Sequence, residues 1–259
     1  MRFAAVSTAA AALILAAPSL AQHEGHKMAA HPMAEHALHA ALADPARPAK
    51  DKERDAARHP AELLTFMGVK PGDKVADFIM GGGYWTRILA KTVGDKGKVY
   101  AYQPAEFIAF RAAYGTDQDE AAKPYANVVA SRESLGAVTF PEKLDAIITV
   151  ENWHDLHLAK SPAGLGTSVA KALYNSLKPG GVLLVVDHVG VAGATPFAVA
   201  DTLHRGDGEA TKKEIEAAGF KLTATSPIYA NPADPHTNKV FDPAIRGKTD
   251  QFVYKFVKS

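Results

Sequence analysis

Cysteine is absent from the 259-residue chain. This absence excludes disulfides, thiolate metal ligands and cysteine nucleophiles together. An excess of charge of either sign is also missing, because 29 Lys and Arg face 28 Asp and Glu, a formal net charge of +1. A nearly neutral chain lacks the broad positive surface that nucleic acid or an anionic membrane requires, so neither is expected as the main partner.

Only one long apolar stretch is visible, and it lies at the N-terminus. Arg2 precedes the apolar run Phe3 to Ala17, and Ser19-Leu20-Ala21 supplies small residues for cleavage before Gln22. This pattern is typical of a secretory signal peptide, and the run is short for a bilayer span. We expect residues 1–21 to be removed, a periplasmic or secreted location, and no membrane contact afterwards. Removing Arg2 lowers the net charge from +1 to 0.

Residues 22–43 are rich in alanine and histidine. Imidazole binds Cu, Ni or Zn, but the histidine spacing closes no tetrahedral site. We therefore expect a disordered linker, followed by one folded domain over residues 44–259 that begins near Asp44-Pro45. The histidines of this stretch are His23, His26, His31, His36 and His39.

Alternating strand and helix patterns with short Gly/Pro turns predict an α/β fold, with a mainly parallel sheet covered on both faces. Strand patterns occur at Lys74–Ile79, Lys98–Tyr102, Asn127–Ala130, Leu144–Val150, Val182–Val186, Phe220–Thr225 and Gln251–Val257. Helical patterns occur at Asp51–Met67 with a break at His59-Pro60, and at Tyr84–Val93, Ala105–Tyr114, Thr167–Leu177 and Glu209–Ala218. Asn231–Lys248 is expected to be an irregular lid or binding loop.

The junction after the first predicted strand carries the strongest signal of a site. Asp77 lies near the strand tip, and three consecutive glycines, Gly81–Gly83, precede the next helix. Glycine allows a sharp turn and a close ligand, and a helix N-terminus directs free N–H groups toward that ligand. A dinucleotide motif needs glycine where Thr86 stands, and no Gly-Lys-Ser/Thr of a P-loop follows. A glycine turn without a ligand is the alternative.

Polar side chains also follow the fourth predicted strand. The run Glu151-Asn152-Trp153-His154-Asp155-Leu156-His157 comes directly after it. The carboxyl ends of parallel strands are where open α/β sheets bind ligands. His154 is the first candidate for a general base, with Asp155 as the group that orients it. His188 and His204 are further catalytic candidates, and for each histidine a hydrogen-bonded structural role is the alternative.

Several of these segments resemble the class I S-adenosylmethionine-dependent methyltransferases. Asp77, Gly81 and Gly83 fit their motif D/E-x-G-x-G-x-G, although Ile79 occupies the first glycine position. The turn Lys178-Pro179-Gly180-Gly181 before an apolar strand is another shared feature. Across residues 44–258, the stretches N-W-H-D and R-G-K-T-D are similar to those of a family of predicted, often exported bacterial methyltransferases.

The resemblance implies a Rossmann-like, doubly wound, seven-stranded sheet with an antiparallel last strand, S-adenosylmethionine as cofactor and a small-molecule acceptor. It implies that the glycines and Asp77 hold the methionine part, that Gln103 contacts the ribose in place of the usual acid, and that Asn152 with Trp153 covers the exposed side. The implied cofactor residues are Asp77, Gly81, Gly82, Gly83, Tyr84, Thr86, Gln103, Asn152 and Trp153.

Two other functions stay open, while the principal prediction needs no metal. His154 and His157 would come together on a helix, and with Asp155, His188 or His204 they could hold the metal of a hydrolase-like site. A non-catalytic binding protein that keeps the fold is the other possibility, because both Ile79 and Gln103 depart from the motif in the cofactor site.

Overall fold

The computed structural model of the protein describes residues 32–191, 195 and 197–259. The predicted signal peptide and His23, His26 and His31 lie outside the described residues. Among the helices of the described part, none combines the length and the apolar content needed to cross a membrane.

A seven-stranded sheet in the order β3-β2-β1-β4-β5-β7-β6 forms the centre of the domain. Strand β7 is antiparallel to both of its neighbours, and the other six strands are parallel to one another. The predicted Rossmann-like sheet with an antiparallel last strand is therefore confirmed. The strands are β1 (Lys74–Phe78), β2 (Lys98–Tyr102), β3 (Val128–Ser131), β4 (Leu144–Val150), β5 (Leu177–His188), β6 (Phe220–Thr225) and β7 (Gln251–Lys258).

Helices cover both faces of the sheet, which explains the nearly continuous apolar runs of its strands. Successive side chains of β1 point to opposite faces, so Val75 lies in the core cluster of Ile88 on one side, whereas Ala76 lies in the core cluster of Val169 on the other. The helices are α1 (Pro32–Ala43), α2 (Ala49–Lys52), α3 (Asp55–Arg58), α4 (Pro60–Met67), α5 (Tyr84–Val93), α6 (Ala105–Phe110), α7 (Ala113–Ala122), α8 (Leu165–Ser176), α9 (Ala200–Leu203) and α10 (Gly208–Ala217).

The expectation of a disordered linker does not hold for residues 32–43, which form α1. Leu38 and Ala41 are buried in the same core cluster as Ile88 of α5. One face of α1 therefore packs against the core through these apolar side chains, while His36 and His39 remain exposed.

Two other differences concern element boundaries, and one predicted boundary is confirmed. The Lys178–Gly181 stretch is a bulge inside β5, because the register passes from Leu144 opposite Leu177 to Ala146 opposite Val182. The helix expected at 105–114 ends at Phe110, since Arg111 is extended, and α7 follows. The predicted break at His59-Pro60 is confirmed: His59 has a left-handed φ of 39° between α3 and α4.

Candidate functional site

The bend after β1 contains two glycines with open space beside them, Gly81 and Gly82, and one that is tightly packed. A Cβ atom added at Gly82 would meet no described atom within 4 Å, so a ligand can approach the backbone there. At Gly83, where φ is +79°, an added Cβ would lie 2.4 Å from the Cβ of Ala121 in α7. Gly83 is therefore required for the close approach of the bend to α7, whereas Gly82 leaves room for a ligand.

Ile79 occupies the first glycine position of the motif and keeps a glycine-like backbone. Its φ is +61°, in the left-handed region that a β-branched residue rarely adopts. The side chain is buried and packs in the core, which offsets a backbone strain of about 1–3 kcal/mol. The departure from the motif therefore keeps the left-handed turn that glycine would make.

Three polar side chains, Asp77, Thr86 and Gln103, brace the bend. Asp77 accepts a hydrogen bond from Thr86 Oγ1 at 2.6 Å, and burial raises the pKa of this carboxyl to about 6. Gln103 Oε1 accepts a hydrogen bond from the Gly81 N–H at 2.9 Å. Gln103 Nε2 is buried and has no hydrogen-bond partner among the described residues. Thr86 and Gln103 thus hold the bend in place and do not line the cleft in front of it.

A cleft of about 140 Å³ lies between the bend and the end of β4. The amide of Asn152 donates to the Ile79 carbonyl at 2.9 Å and so ties the end of β4 to the bend. Five predicted cofactor residues line this cleft, namely Asp77, Gly81, Gly82, Tyr84 and Asn152. Four others lie outside its lining, namely Gly83, Thr86, Gln103 and Trp153.

Charged side chains of both signs line the cleft. Arg58 Nη2 lies 2.7 Å from Glu151 Oε2. Burial alone would raise the pKa of Glu151, but the positive charge of Arg58 holds that pKa below its usual value. Arg54 forms no ion pair with a described residue, and its guanidinium lies 5.6 Å from the ring centre of Tyr84.

A second group of polar side chains, here called the histidine corner, consists of His154, Asp155, Asp187 and His204. Asp187 accepts from the backbone N–H of His154 at 2.7 Å and pairs with its Nδ1 at 2.8 Å. His154 Nε2 lies 3.4 Å from Asp155 Oδ1, and His204 Nδ1 lies 3.7 Å from the same oxygen. Burial alone would lower the pKa of His154, but Asp187 and then Asp155 outweigh it and raise the pKa to about 9.

Asp187 at the end of β5 is therefore placed to orient His154 through Nδ1, the role that was predicted for Asp155. Asp155 contacts the other ring nitrogen of His154, at the longer distance of 3.4 Å. The side chain of His188 points elsewhere: its Nδ1 lies 2.8 Å from Thr249 Oγ1, and its ring centre is 6.0 Å from that of His154.

The alternative metal pair of His154 and His157 does not form. His157 Nε2 lies 2.9 Å from Glu214 Oε2, and its ring stacks on Phe197 with centres 3.4 Å apart. Glu214 also accepts from the buried Trp153 Nε1 at 3.1 Å. Because Asp187 and Glu214 attract the two histidines to different neighbours, the i, i+3 spacing does not bring them together. Trp153 belongs to the core instead of the cleft.

Four charged residues of these two regions had no predicted role, although Glu151 was part of the polar run after the fourth strand: Arg54, Arg58, Glu151 and Asp187. A usable signal existed for the arginines, because they are four residues apart in a helical stretch and so share a helix face. Asp187 directly follows a continuous apolar strand, the same signal that identified the run after β4.

The cleft and the histidine corner are connected through Glu151. Gln251 Nε2 donates to Glu151 Oε1 at 3.3 Å and to Thr249 Oγ1 at 3.2 Å. Thr249 Oγ1 lies 2.8 Å from His188 Nδ1, and the backbone N–H of His188 donates to Asp187 Oδ1 of the corner at 2.8 Å. A ligand in the cleft and a second ligand at the corner would therefore lie on either side of one hydrogen-bonded network.

Comparison with solved structures establishes the fold. An S-adenosylmethionine-dependent methyltransferase from Aquifex aeolicus has a TM-score of 0.56 and 20% identity, over 82% of this chain and 99% of that one. The N-methyltransferase NodS from Bradyrhizobium japonicum has a TM-score of 0.53 and 12% identity, over 81% of this chain and 98% of that one. CrArsM, an arsenic(III) S-adenosylmethionine methyltransferase from Chlamydomonas reinhardtii, has a TM-score of 0.52 and 19% identity, over 85% of this chain and 72% of that one.

No protein-family profile and no curated protein sequence matches the chain. The solved neighbours differ in the acceptor that their names indicate, so the shared architecture does not specify an acceptor. At these identities the likeness concerns the fold alone, and the chain has the class I fold of the S-adenosylmethionine-dependent methyltransferases.

Proposed function

We propose that the protein is an S-adenosylmethionine-dependent methyltransferase that acts on a small-molecule acceptor. The observation that carries the proposal is the open backbone at Gly82, at the mouth of a cleft between β1 and β4 in a methyltransferase fold. Open α/β sheets bind ligands at this edge. The N-terminal pattern of residues 1–21 further supports an exported enzyme.

The residues of the cleft fit the charges of this cofactor. Its sulfonium and ammonium groups are cations and its carboxylate is an anion, and the cleft offers the carboxylate of Glu151 beside the guanidinium of Arg54. Small-molecule pockets usually enclose about 300–1,000 Å³, so side chains at the mouth, Arg54 and Arg58 among them, must move outward to admit a whole nucleoside.

The bound cofactor would supply a methyl group on a sulfonium centre that is ready for in-line displacement. The chain's own residues contribute position and charge. The N–H groups of the bend and of the α5 N-terminus favour negatively charged ligand groups, and Arg54 favours the carboxylate. Glu151 favours the positive centre. Holding the acceptor in line with the methyl group contributes several kcal/mol to lowering the barrier, roughly 7 kcal/mol or more where alignment is good.

We further propose that the acceptor binds at the histidine corner and is deprotonated there, with His154, Asp155, His188 and His204 as the catalytic candidates. Support comes from their position, since the corner begins two residues beyond Asn152 of the cleft. Imidazole and carboxylate groups at this distance from the cleft are suited to bind an acceptor hydroxyl or amine and to stabilise its loss of a proton.

Titration calorimetry with S-adenosylhomocysteine tests the cofactor site in the full-length chain. We expect the native chain to bind, and Gly82→Ala to bind at least about tenfold more weakly, because the new methyl group fills the ligand space. The melting temperature of Gly82→Ala should stay unchanged, since its Cβ meets no described atom within 4 Å.

Gly136→Ala is the matched control, because its added Cβ makes only an ordinary contact of 3.6 Å with Ser134 Oγ, outside the cleft. It should bind like the native chain. Absence of binding by the native chain, or equal binding by Gly82→Ala, would overturn the assignment of the cleft. Release of S-adenosylhomocysteine from S-adenosylmethionine with a pool of small acceptors would then distinguish an enzyme from a binding protein.

A further inference from the structure

The histidine corner brings together three side chains of the kinds that bind transition metals. His154, Asp155 and His204 each offer one ligand atom, and these atoms lie within 4.8 Å of one another. With metal–ligand bonds of about 2.1 Å, tetrahedral ligand atoms are separated by about 3.4 Å. The separations of 3.4 Å and 3.7 Å from Asp155 Oδ1 to the two imidazoles are close to that value.

A second, independent observation concerns the other ring nitrogen of His154. Its Nδ1 lies 2.8 Å from Asp187 Oδ1, so the carboxylate favours a proton on Nδ1, and a metal ion would replace the proton on Nε2, which faces Asp155. Metal-binding histidines usually donate their other ring N–H to a carboxylate or carbonyl, which fixes the tautomer and the ring orientation. Asp187 is itself fully buried, and it also accepts from the His154 backbone at 2.7 Å.

The third ligand is held equally firmly. His204 has a left-handed φ of 53°, an unfavourable conformation for a non-glycine residue that turns the chain at the end of α9. The next residue, Arg205, is fully buried and donates to Asp234 and to the Val189 carbonyl at 2.9 Å each. Gly206 N donates to the His188 carbonyl at 2.9 Å. These bonds fix the backbone next to His204 against the end of β5.

We propose that His154 Nε2, Asp155 Oδ1 and His204 Nδ1 bind one divalent transition-metal ion. Two imidazoles and one carboxylate suit Zn²⁺, Fe²⁺, Mn²⁺ or Co²⁺, and three protein ligands leave positions for an exogenous oxygen. The ion's role rests on the proposed function: it would bind the acceptor oxygen, lower the pKa of an acceptor hydroxyl and release its proton to solvent. Binding of the ion itself does not depend on that function.

The test uses the full-length chain with Gln in place of the five N-terminal histidines, which would otherwise compete for metal. Co²⁺ is titrated while its visible absorption is followed, and bound Zn²⁺ is counted by mass spectrometry after dialysis. We expect one ion per chain. His204→Gln and Asp155→Asn should each bind the ion at least about tenfold more weakly, since even the loss of a group that hydrogen-bonds to a metal ligand costs that much. The five replaced residues are His23, His26, His31, His36 and His39.

His157→Gln is the matched control, because His157 lies three residues from His154 but contacts Glu214. It should bind metal like its parent. Each variant is checked by its melting temperature, and His204 is one-third exposed, so its replacement should fold. No stoichiometric ion on the parent, or loss of the ion in His157→Gln with retention in His204→Gln, would overturn the proposal.

A titration with S-adenosylhomocysteine on the same samples separates the two proposals. Stoichiometric metal without binding of the nucleoside supports the metal site and contradicts the proposed function. Binding of the nucleoside without metal contradicts the metal site and leaves the cofactor assignment intact.

Discussion

The glycine cleft and the histidine corner lie at the same edge of the sheet but are assembled in different ways. Most of the cleft comes from one short stretch, in which β1, the bend and the first turn of α5 follow one another. The corner joins the end of β4, Asp187 at the end of β5 and His204 after α9. The first is set by local backbone conformation, and the second depends on distant segments being held together.

The two regions therefore depend on the rest of the molecule in different ways. The backbone of the bend is set by left-handed residues and by the side chains that brace it. The corner needs an anchor, which is the buried ion pair between Arg205 and Asp234. Asp234 also accepts from the Asp250 N–H at 2.8 Å, so the pair ties the long 226–250 segment to the chain beside His204. Mutations can therefore damage one region and spare the other.

The largest effect is expected from Arg205→Met, which removes the anchor of the corner. Both members of the pair are fully buried, so the change leaves the Asp234 charge without its partner. We expect the free energy of unfolding to fall by about 3–5 kcal/mol, measured by urea denaturation. Metal binding at the corner should be lost at urea concentrations where S-adenosylhomocysteine still binds the cleft.

Asp119→Ala provides the control for this prediction. The ion pair of Asp119 with Arg132 is largely exposed, with side chains 68% and 46% accessible, so its loss should cost less than about 1 kcal/mol. Equal destabilisation by the two variants, or parallel loss of both ligands in Arg205→Met, would mean that the two regions are not independent.

The pH dependence of the free energy of unfolding tests the buried environment of Asp77 in the cleft. Burial raises its pKa from 3.8 to about 6, and its bond from Thr86 and the charges of Arg58 and Arg87 offset this only in part. The folded chain therefore binds more protons than the unfolded chain between these pH values. The contribution of Asp77 to the free energy of unfolding then falls as pH rises from about 4 to 6, by roughly 3 kcal/mol at most.

Asp77→Asn should remove this part of the slope, because the amide oxygen still accepts from Thr86 but carries no charge. The measurement is urea unfolding of both chains across that pH range, with the difference between them taken at each pH. At the corner the sign is opposite: burial alone would raise the pKa of Asp234, but Arg205 holds it low, so its contribution is lost as pH falls. A difference between the native chain and Asp77→Asn that does not vary with pH would contradict the raised pKa of Asp77.

Local patterns predicted the fold well, because hydrophobic periodicity and turn residues can be read from contiguous stretches of sequence. The bounds of α5, β2, β4 and β6 are those predicted, and the glycines lie at the expected bend. Helix α7 was missed because Ala113–Ala122 is polar and lacks an apolar stripe. Tertiary hydrogen bonds hold it instead: Gln118 Nε2 donates to the Ala101 carbonyl at 2.7 Å and to the Ser131 carbonyl at 2.9 Å.

The candidate site was predictable only where its residues are neighbours in sequence. The bend satisfied this condition, and the partner of His154 did not, because Asp187 lies 33 residues further along the chain and is brought there by the register of β4 with β5. Gln103 was placed correctly at a strand tip, but its amide faces Gly81 of the bend. Which way a side chain turns at a strand end depends on neighbours that one sequence does not reveal.

The smallest change, Arg54→Gln, tests which part of the cofactor the cleft recognises. Arg54 is exposed and has no ion-pair partner among the described residues, so its replacement should leave the free energy of unfolding within about 0.5 kcal/mol. If its charge pairs with the ligand carboxylate, the affinity for S-adenosylhomocysteine should fall about tenfold, which corresponds to 1.4 kcal/mol. Methylthioadenosine has no carboxylate and serves as the internal control: its affinity, measured by the same calorimetry, should not change. Equal weakening of both ligands would mean that Arg54 acts on the shape of the cleft, and no weakening of either would remove it from the cofactor site.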